Sequence, residues 1–129
     1  MYKYLGLLSL FFPVLCFSLE FDEAFQIADE QFKSKLSGRE AYLLERMEYE
    51  NSIGLDERGN CYAHPGGGVT LVIRINETGV LDLVLSNIEN TKSECFKKLY
   101  LGTKYKAPPI APIYQIMKMG YNIAPPKKP

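Results

Sequence analysis

The residues with the most evident chemical potential sit in one short stretch and one later position. Cys61-Tyr62-Ala63-His64 sets a thiol beside the chain's single histidine, and Cys95 lies further on. Drawn together, these three are the ligands of a metal or a Cys–His nucleophilic pair. A structural zinc site takes four ligands from a closed set, and no fourth stands out. A catalytic pair needs a free thiolate, which cysteine pairing in an oxidising compartment removes. Gly66-Gly67-Gly68 has the look of a phosphate cradle, yet it lacks the Lys and Ser/Thr of a P-loop, and the pattern after it is a strand. One histidine leaves no Ser–His–Asp order. Carboxylates are plentiful near the N-terminal side, where they follow a solvated helix face. The expectation is a non-enzymatic chain with no metal and no cofactor, and a disulfide beside a loop histidine.

That expectation depends on the compartment, and the first residues speak to it. Met1 to Ser18 carries one early charge, Lys3, then an apolar run from Leu5 to Phe17 and small residues near its end. The run is shorter than the roughly 20 apolar residues of a membrane span, and its plan is that of a secretory signal. Residues 1–18 are therefore expected to be a signal peptide delivering the chain to the periplasm. A lipoprotein anchored through Cys16 is the second reading, with Leu15 at a position such signals usually fill with a small residue. Removal of this segment leaves Cys61 and Cys95 as an even pair, expected to form a disulfide. Closing a loop of that length stabilises a domain by about 3–4 kcal/mol.

Charge totals exclude one broad class. Fifteen basic residues balance fifteen acidic ones in 129 residues, so the chain lacks the basic footprint of a nucleic-acid binder. The balance is uneven along the chain: residues 19–60 hold eleven acids and five bases, a net of −6, and residues 61–129 hold four acids and nine bases, a net of +5. Halves of opposite sign are expected to complement each other on packing.

The elements that must position these residues follow from periodicity. Residues 19–60 read as a helical segment and a linker loop. Phe21, Phe25, Ala28, Phe32 and Leu36 recur at helical spacing and are expected to form a core stripe. After Ser37-Gly38, a second run from Arg39 to Glu50 turns Leu43, Leu44 and Met47 inward, and Asn51 to Gly68 reads as loop. From Val69 to Asn76, Val69, Leu71, Ile73 and Ile75 point one way and Thr70, Val72, Arg74 and Asn76 the other, as in a strand. Leu81, Leu83 and Leu85 do the same in a second strand, with Glu77-Thr78-Gly79 as the hairpin turn. Asn76-Glu77-Thr78 also spells a glycosylation sequon, but a hairpin tip accounts for those residues. Thr91-x-x-Glu94 reads as a capping box for a short helix from about Lys92 to Leu101. Pro108, Pro109 and Pro112 lead into a last strand from Ile113 to Met119, and residues 122–129 are a tail.

The predicted class is α+β: an N-terminal helical segment, then a small antiparallel sheet with ββαβ order over residues 61–121. In that region Gly68-Val69-Thr70-Leu71-Val72-Ile73-Arg74-Ile75-Asn76-Glu77-Thr78-Gly79-Val80 resembles the first hairpin of the C-terminal domain of the TonB/TolA family. Cys95 in a short helix and Lys106-Ala107-Pro108-Pro109 before an apolar strand are similar to features of some members. The resemblance implies a periplasmic domain that receives partner peptides by strand addition. The spacer of a full energy transducer has no counterpart here, since about 40 residues separate the signal from Cys61. A free-standing domain is expected instead.

Two binding roles follow. In the first, the protein pairs with an envelope or periplasmic protein through the edge of its last strand, so that Ile113, Tyr114, Gln115, Ile116, Met117, Lys118 and Met119 are the candidate partner-binding residues. In the second, it is an inhibitor or immunity-type protein that blocks a periplasmic enzyme with the loop from Tyr62 to Gly68. Neither role uses nucleic acid or a membrane span in the mature chain.

Overall fold

The computed structural model describes residues 19–121. The expected signal at 1–18 and the tail at 122–129 lie outside the described residues. Three strands form an antiparallel sheet: β1 (Val69–Ile75), β2 (Leu81–Ser86) and β3 (Ile113–Met119), in the order β2-β1-β3. Before the sheet come α1 (Phe21–Ser34), α2 (Arg39–Ile53), the single turn α3 (Leu55–Arg58) and a 3-10 turn at Cys61–Ala63; α4 (Thr91–Tyr100) joins β2 to β3. The class is α+β.

β1 is central and buried almost throughout, because each of its faces meets a separate apolar cluster. Val69, Leu71, Ile73 and Ile75 join Tyr42, Leu55, Phe96 and Tyr100 on one side. Val72 meets Ala24 and Ala28 of α1, with Tyr114, on the other. The alternation expected for β1 is therefore present, and β3 has the expected bounds. β2 departs from its pattern. Arg74 pairs with Leu83 and Ile75 with Leu81, so one residue of β2 is extra at this bulge. Leu81 turns to the face of Val84, while Leu83 and Leu85 stay on the α1 face. A bulge breaks period-two alternation, which explains the departure. At the hairpin tip, Gly79 holds φ +92°, and a Cβ there would stand 2.2 Å from the Tyr105 carbonyl oxygen.

The helices correct four expectations. In α1 the buried residues are Ala24 and Ala28, while Phe25 and Phe32 are exposed, Phe32 by 61%. Small side chains bring the helix axis close to the sheet and leave the aromatics on its flanks. In α2 the inward residues are Arg39, Tyr42, Leu43, Arg46 and Glu50; Leu44 and Met47 are 58% and 50% exposed. The stretch after Glu50 is not all loop, since α2 runs to Ile53 and α3 and the 3-10 turn follow. The short helix is capped one residue earlier than expected. Asn90 Oδ1 accepts from the Ser93 amide at 2.8 Å and Ser93 Oγ accepts from the Asn90 amide at 2.9 Å. Asn is as good an N-cap as Thr, and here its side chain is the one that reaches.

A disulfide joins Cys61 to Cys95 with Cα atoms 5.4 Å apart, tying the 3-10 turn to α4. No helix among the described residues is long and apolar enough to cross a membrane.

Candidate functional site

β3 is an edge strand, and two helices stand on either side of that edge. α1 packs on one sheet face through Ala24 and Ala28. α2 packs on the other, where Tyr42 and Leu43 join the cluster of Ile113 and Met119. The connection between them crosses the start of β3, so that a Cβ on Gly38 would lie 3.1 Å from the Pro109 ring.

In an antiparallel ladder, alternate residues direct N–H and C=O to the paired strand and the rest direct them away. Tyr114 directs them away, and both are held. Its amide donates to Gln31 Oε1 at 2.9 Å, and its carbonyl accepts from Arg39 Nη2 at 2.7 Å. Gln31 Nε2 also donates to the Pro112 carbonyl at 3.0 Å. By the same alternation Ile116 and Lys118 face outward. Among the described residues nothing bonds their outward N–H and C=O groups. The β3 edge is thus clasped at its first turnable residue and open along the rest.

The open part is the floor of a groove of about 580 Å³. Ala28 and Phe32 of α1 form one wall, and Leu43, Leu44 and Met47 of α2 form the other. A second hollow of about 250 Å³ shares Met47, Ile116 and Lys118 and extends the groove to Asn51, Tyr62 and Met119. Charges on the lining are mixed. Asp29 is paired with Lys33 at 2.9 Å, Glu40 and Lys118 are exposed, and Arg39 is buried. Burial, opposed by the nearby Glu40, lowers the Arg39 guanidinium from its ordinary value.

A buried polar network fixes the α2 wall against β3. Arg46 Nη1 donates to Glu50 Oε2 at 2.5 Å, and Nη2 donates to Gln115 Oε1 at 2.6 Å. The Tyr105 hydroxyl donates to the same Glu50 oxygen at 2.5 Å, and the Arg46 guanidinium lies 5.7 Å from the Tyr105 ring centroid. Burial first, and then the bond to Glu50, hold the Tyr105 phenol above its usual range. Such a pair is tolerable inside a protein when further hydrogen bonds share the charges; here Gln115 and Tyr105 do so, while Arg46 Nε is buried with no partner among the described residues.

The seven residues expected at the partner site separate into groups. Ile116 and Lys118 lie on the open edge; Tyr114 is clasped; Gln115 and Met117 meet Arg46; Ile113 and Met119 are buried. Sequence reasoning missed the walls, Phe32, Leu44 and Met47, and the clasp, Gln31 and Arg39. Leu43, Leu44 and Met47 fall within one helical stripe, so their spacing carried no signal that Leu44 and Met47 stay outside the core.

The Cys–His stretch offers less. His64 and Cys95 line a wide, shallow hollow near α4, and both sulfurs are committed to the disulfide. No group of three or more His, Cys, Asp or Glu among the described residues is placed to hold a metal ion. In the loop expected to insert into an enzyme, Tyr62 is held edge-on against Phe96 with centroids 5.1 Å apart. The chain matches no protein-family model, no curated protein and no solved structure. Its likeness to the TonB/TolA hairpin therefore stands on the motif residues alone.

Proposed function

We propose that this protein is an exported, non-enzymatic binding module of the cell envelope that takes an extended segment of a partner protein onto the open edge of β3. The observation that carries the reading is that, among the described residues, nothing pairs the outward backbone of Ile116 and Lys118 at the floor of a groove walled by Phe32, Leu44 and Met47. Strand addition supplies main-chain hydrogen bonds, and side pockets select the residues of the added strand. Phe32, Leu44 and Met47 are large apolar side chains left at the water boundary beside that edge, where an incoming strand would cover them. Export is supported by the disulfide, which persists in oxidising compartments, and by the apolar start of the sequence.

The test is a pull-down from an envelope extract with the wild-type protein, Ile116→Pro and Tyr62→Ala. The proline removes one outward N–H and leaves the β1 side of the ladder intact. Wild type and Tyr62→Ala should retain the same envelope protein, and Ile116→Pro should lose it while keeping its circular dichroism. Retention by a folded Ile116→Pro variant would overturn the reading. Loss with Tyr62→Ala alone would move the site to the Tyr62–Gly68 loop and favour an inhibitor.

A further inference from the structure

The groove is open at one end of β3 and shut at the other. A strand laid along Lys118 and Ile116 toward Tyr114 meets Gln31 and Arg39, which already occupy the next outward backbone groups. Beyond them the α1–α2 connection reaches the Pro109 ring. An added chain has no path along the sheet past this point, so its end belongs there.

The shut end also holds a cation that no salt bridge engages among the described residues. Arg39 is 4% exposed, lines the groove, and forms no salt bridge among the described residues. Among the described residues its guanidinium bonds only the Tyr114 carbonyl, and its Nε is buried with no partner there. A buried guanidinium with donors to spare is most stable next to an anion, and it binds a carboxylate better than a neutral acceptor. α2 starts at the same place, with no side chain capping it at Gly38, and the positive end of the helix adds to the field there. Asp29 is neutralised by Lys33, which leaves Glu40 as the carboxylate that opposes an incoming anion.

Resting on the reading of the β3 edge as the partner site, we propose that the groove receives the C-terminal end of a partner protein, antiparallel to β3, with its terminal carboxylate at Arg39. The direction follows from the geometry: β3 begins at the shut end, so a chain that finishes there runs against it. From Lys118 to Tyr114 the strand covers about 14 Å at roughly 3.4 Å per residue, which sets the tail at four or five residues. Alternate side chains of such a tail face the α1 and α2 walls. Phe32 on one wall and Leu44 and Met47 on the other are the large side chains it meets, so the fitting tail is apolar and its essential charge is the carboxylate.

The experiment uses a library of random peptides displayed with free C-termini and selected on the whole protein. The best sequence is then made as the free acid and as the C-terminal amide, and each is titrated by fluorescence anisotropy. The expected result is an enriched apolar tail whose amide binds weaker by on the order of tenfold or more, the value of a hydrogen-bonded charge. Arg39→Gln should remove the difference between acid and amide, and Glu40→Gln should tighten the acid. The acid–amide contrast is read on the wild type, so it does not depend on any variant folding. Equal binding of acid and amide would overturn the carboxylate inference while Ile116→Pro, by abolishing both, still supports the edge. Enrichment of no peptide, or binding indifferent to Ile116→Pro, would overturn the edge reading as well.

Discussion

Replacing Arg46 by Met tests whether the buried network holds the α2 wall to β3. The side chain is 1% exposed and its ion-pair partner Glu50 is 8% exposed. The substitution removes the bonds to Glu50 and Gln115 and the contact with the Tyr105 ring, and leaves the buried Glu50 carboxylate without the guanidinium. Breaking a buried pair from one side costs about 3–5 kcal/mol, close to half the ~5–15 kcal/mol that holds a typical domain. At about 4–8 °C per kcal/mol for a domain near this size, the melting temperature should fall by on the order of 20 °C. The double variant Arg46→Met/Glu50→Leu removes both charges and should recover most of the loss, giving a coupling energy of at least ~2 kcal/mol. Urea unfolding followed by circular dichroism measures all four members of the cycle. A loss under ~1 kcal/mol for Arg46→Met, or a double variant as unstable as the sum of the singles, would refute a buried, mutually dependent pair.

Three further outcomes are expected. Because Tyr105 keeps its proton in the folded state beyond the ordinary phenol range, stability should fall as pH rises above ~10, by up to about 1.4 kcal/mol per pH unit; Tyr105→Phe should flatten that slope in alkaline urea titrations. Gln115→Pro and Ile116→Pro should differ in stability, since the Gln115 backbone faces Ile73 inside the ladder and Ile116 faces out; thermal melts should show the former lower, by about 1–3 kcal/mol for a buried group left unpaired. Cys61→Ser/Cys95→Ser should lose roughly 3–4 kcal/mol without loss of far-ultraviolet dichroism at low temperature, and peptide mapping of the wild type without reductant should recover the single Cys61–Cys95 linkage.

How much of this was legible in the sequence depended on which period ruled each segment. β3 showed its bounds and β1 came within one residue of them, because apolar residues on both faces of a strand mark it whatever the details of the loops. Leu81 misled because a bulge is a fact about two strands and leaves no mark on one of them. The faces of α1 and α2 were misassigned for a related reason. Periodicity marks large apolar side chains as the inward set, yet α1 approaches the sheet on alanines and α2 turns Arg39, Arg46 and Glu50 inward. Long polar side chains enter a core only when partners wait for them, and those partners, Gln115, Tyr105 and the Tyr114 carbonyl, are 55 or more residues away in the chain. The candidate site was half visible: the edge residues followed from the last strand, while its walls had been assigned to the core.

An open strand edge is a hazard, because any other edge can pair with it, and the distribution of closures in this fold bears on what the opening is for. On the far edge of the sheet, Leu81 is bonded in both directions by the segment after α4, its amide to Thr103 and its carbonyl to Gly102. On the near edge Tyr114 is bonded in both directions by Gln31 and Arg39. On this near edge the outward backbone of Ile116 and Lys118 stays open among the described residues, and it lies between two helices rather than at a free rim. A second sheet approaching edge-on would strike Phe32 on one side and Leu44 and Met47 on the other. A single extended strand fits between them and covers those side chains as it pairs. The same walls that refuse a sheet therefore reward a lone strand, and an edge so guarded against its own kind still admits one class of partner.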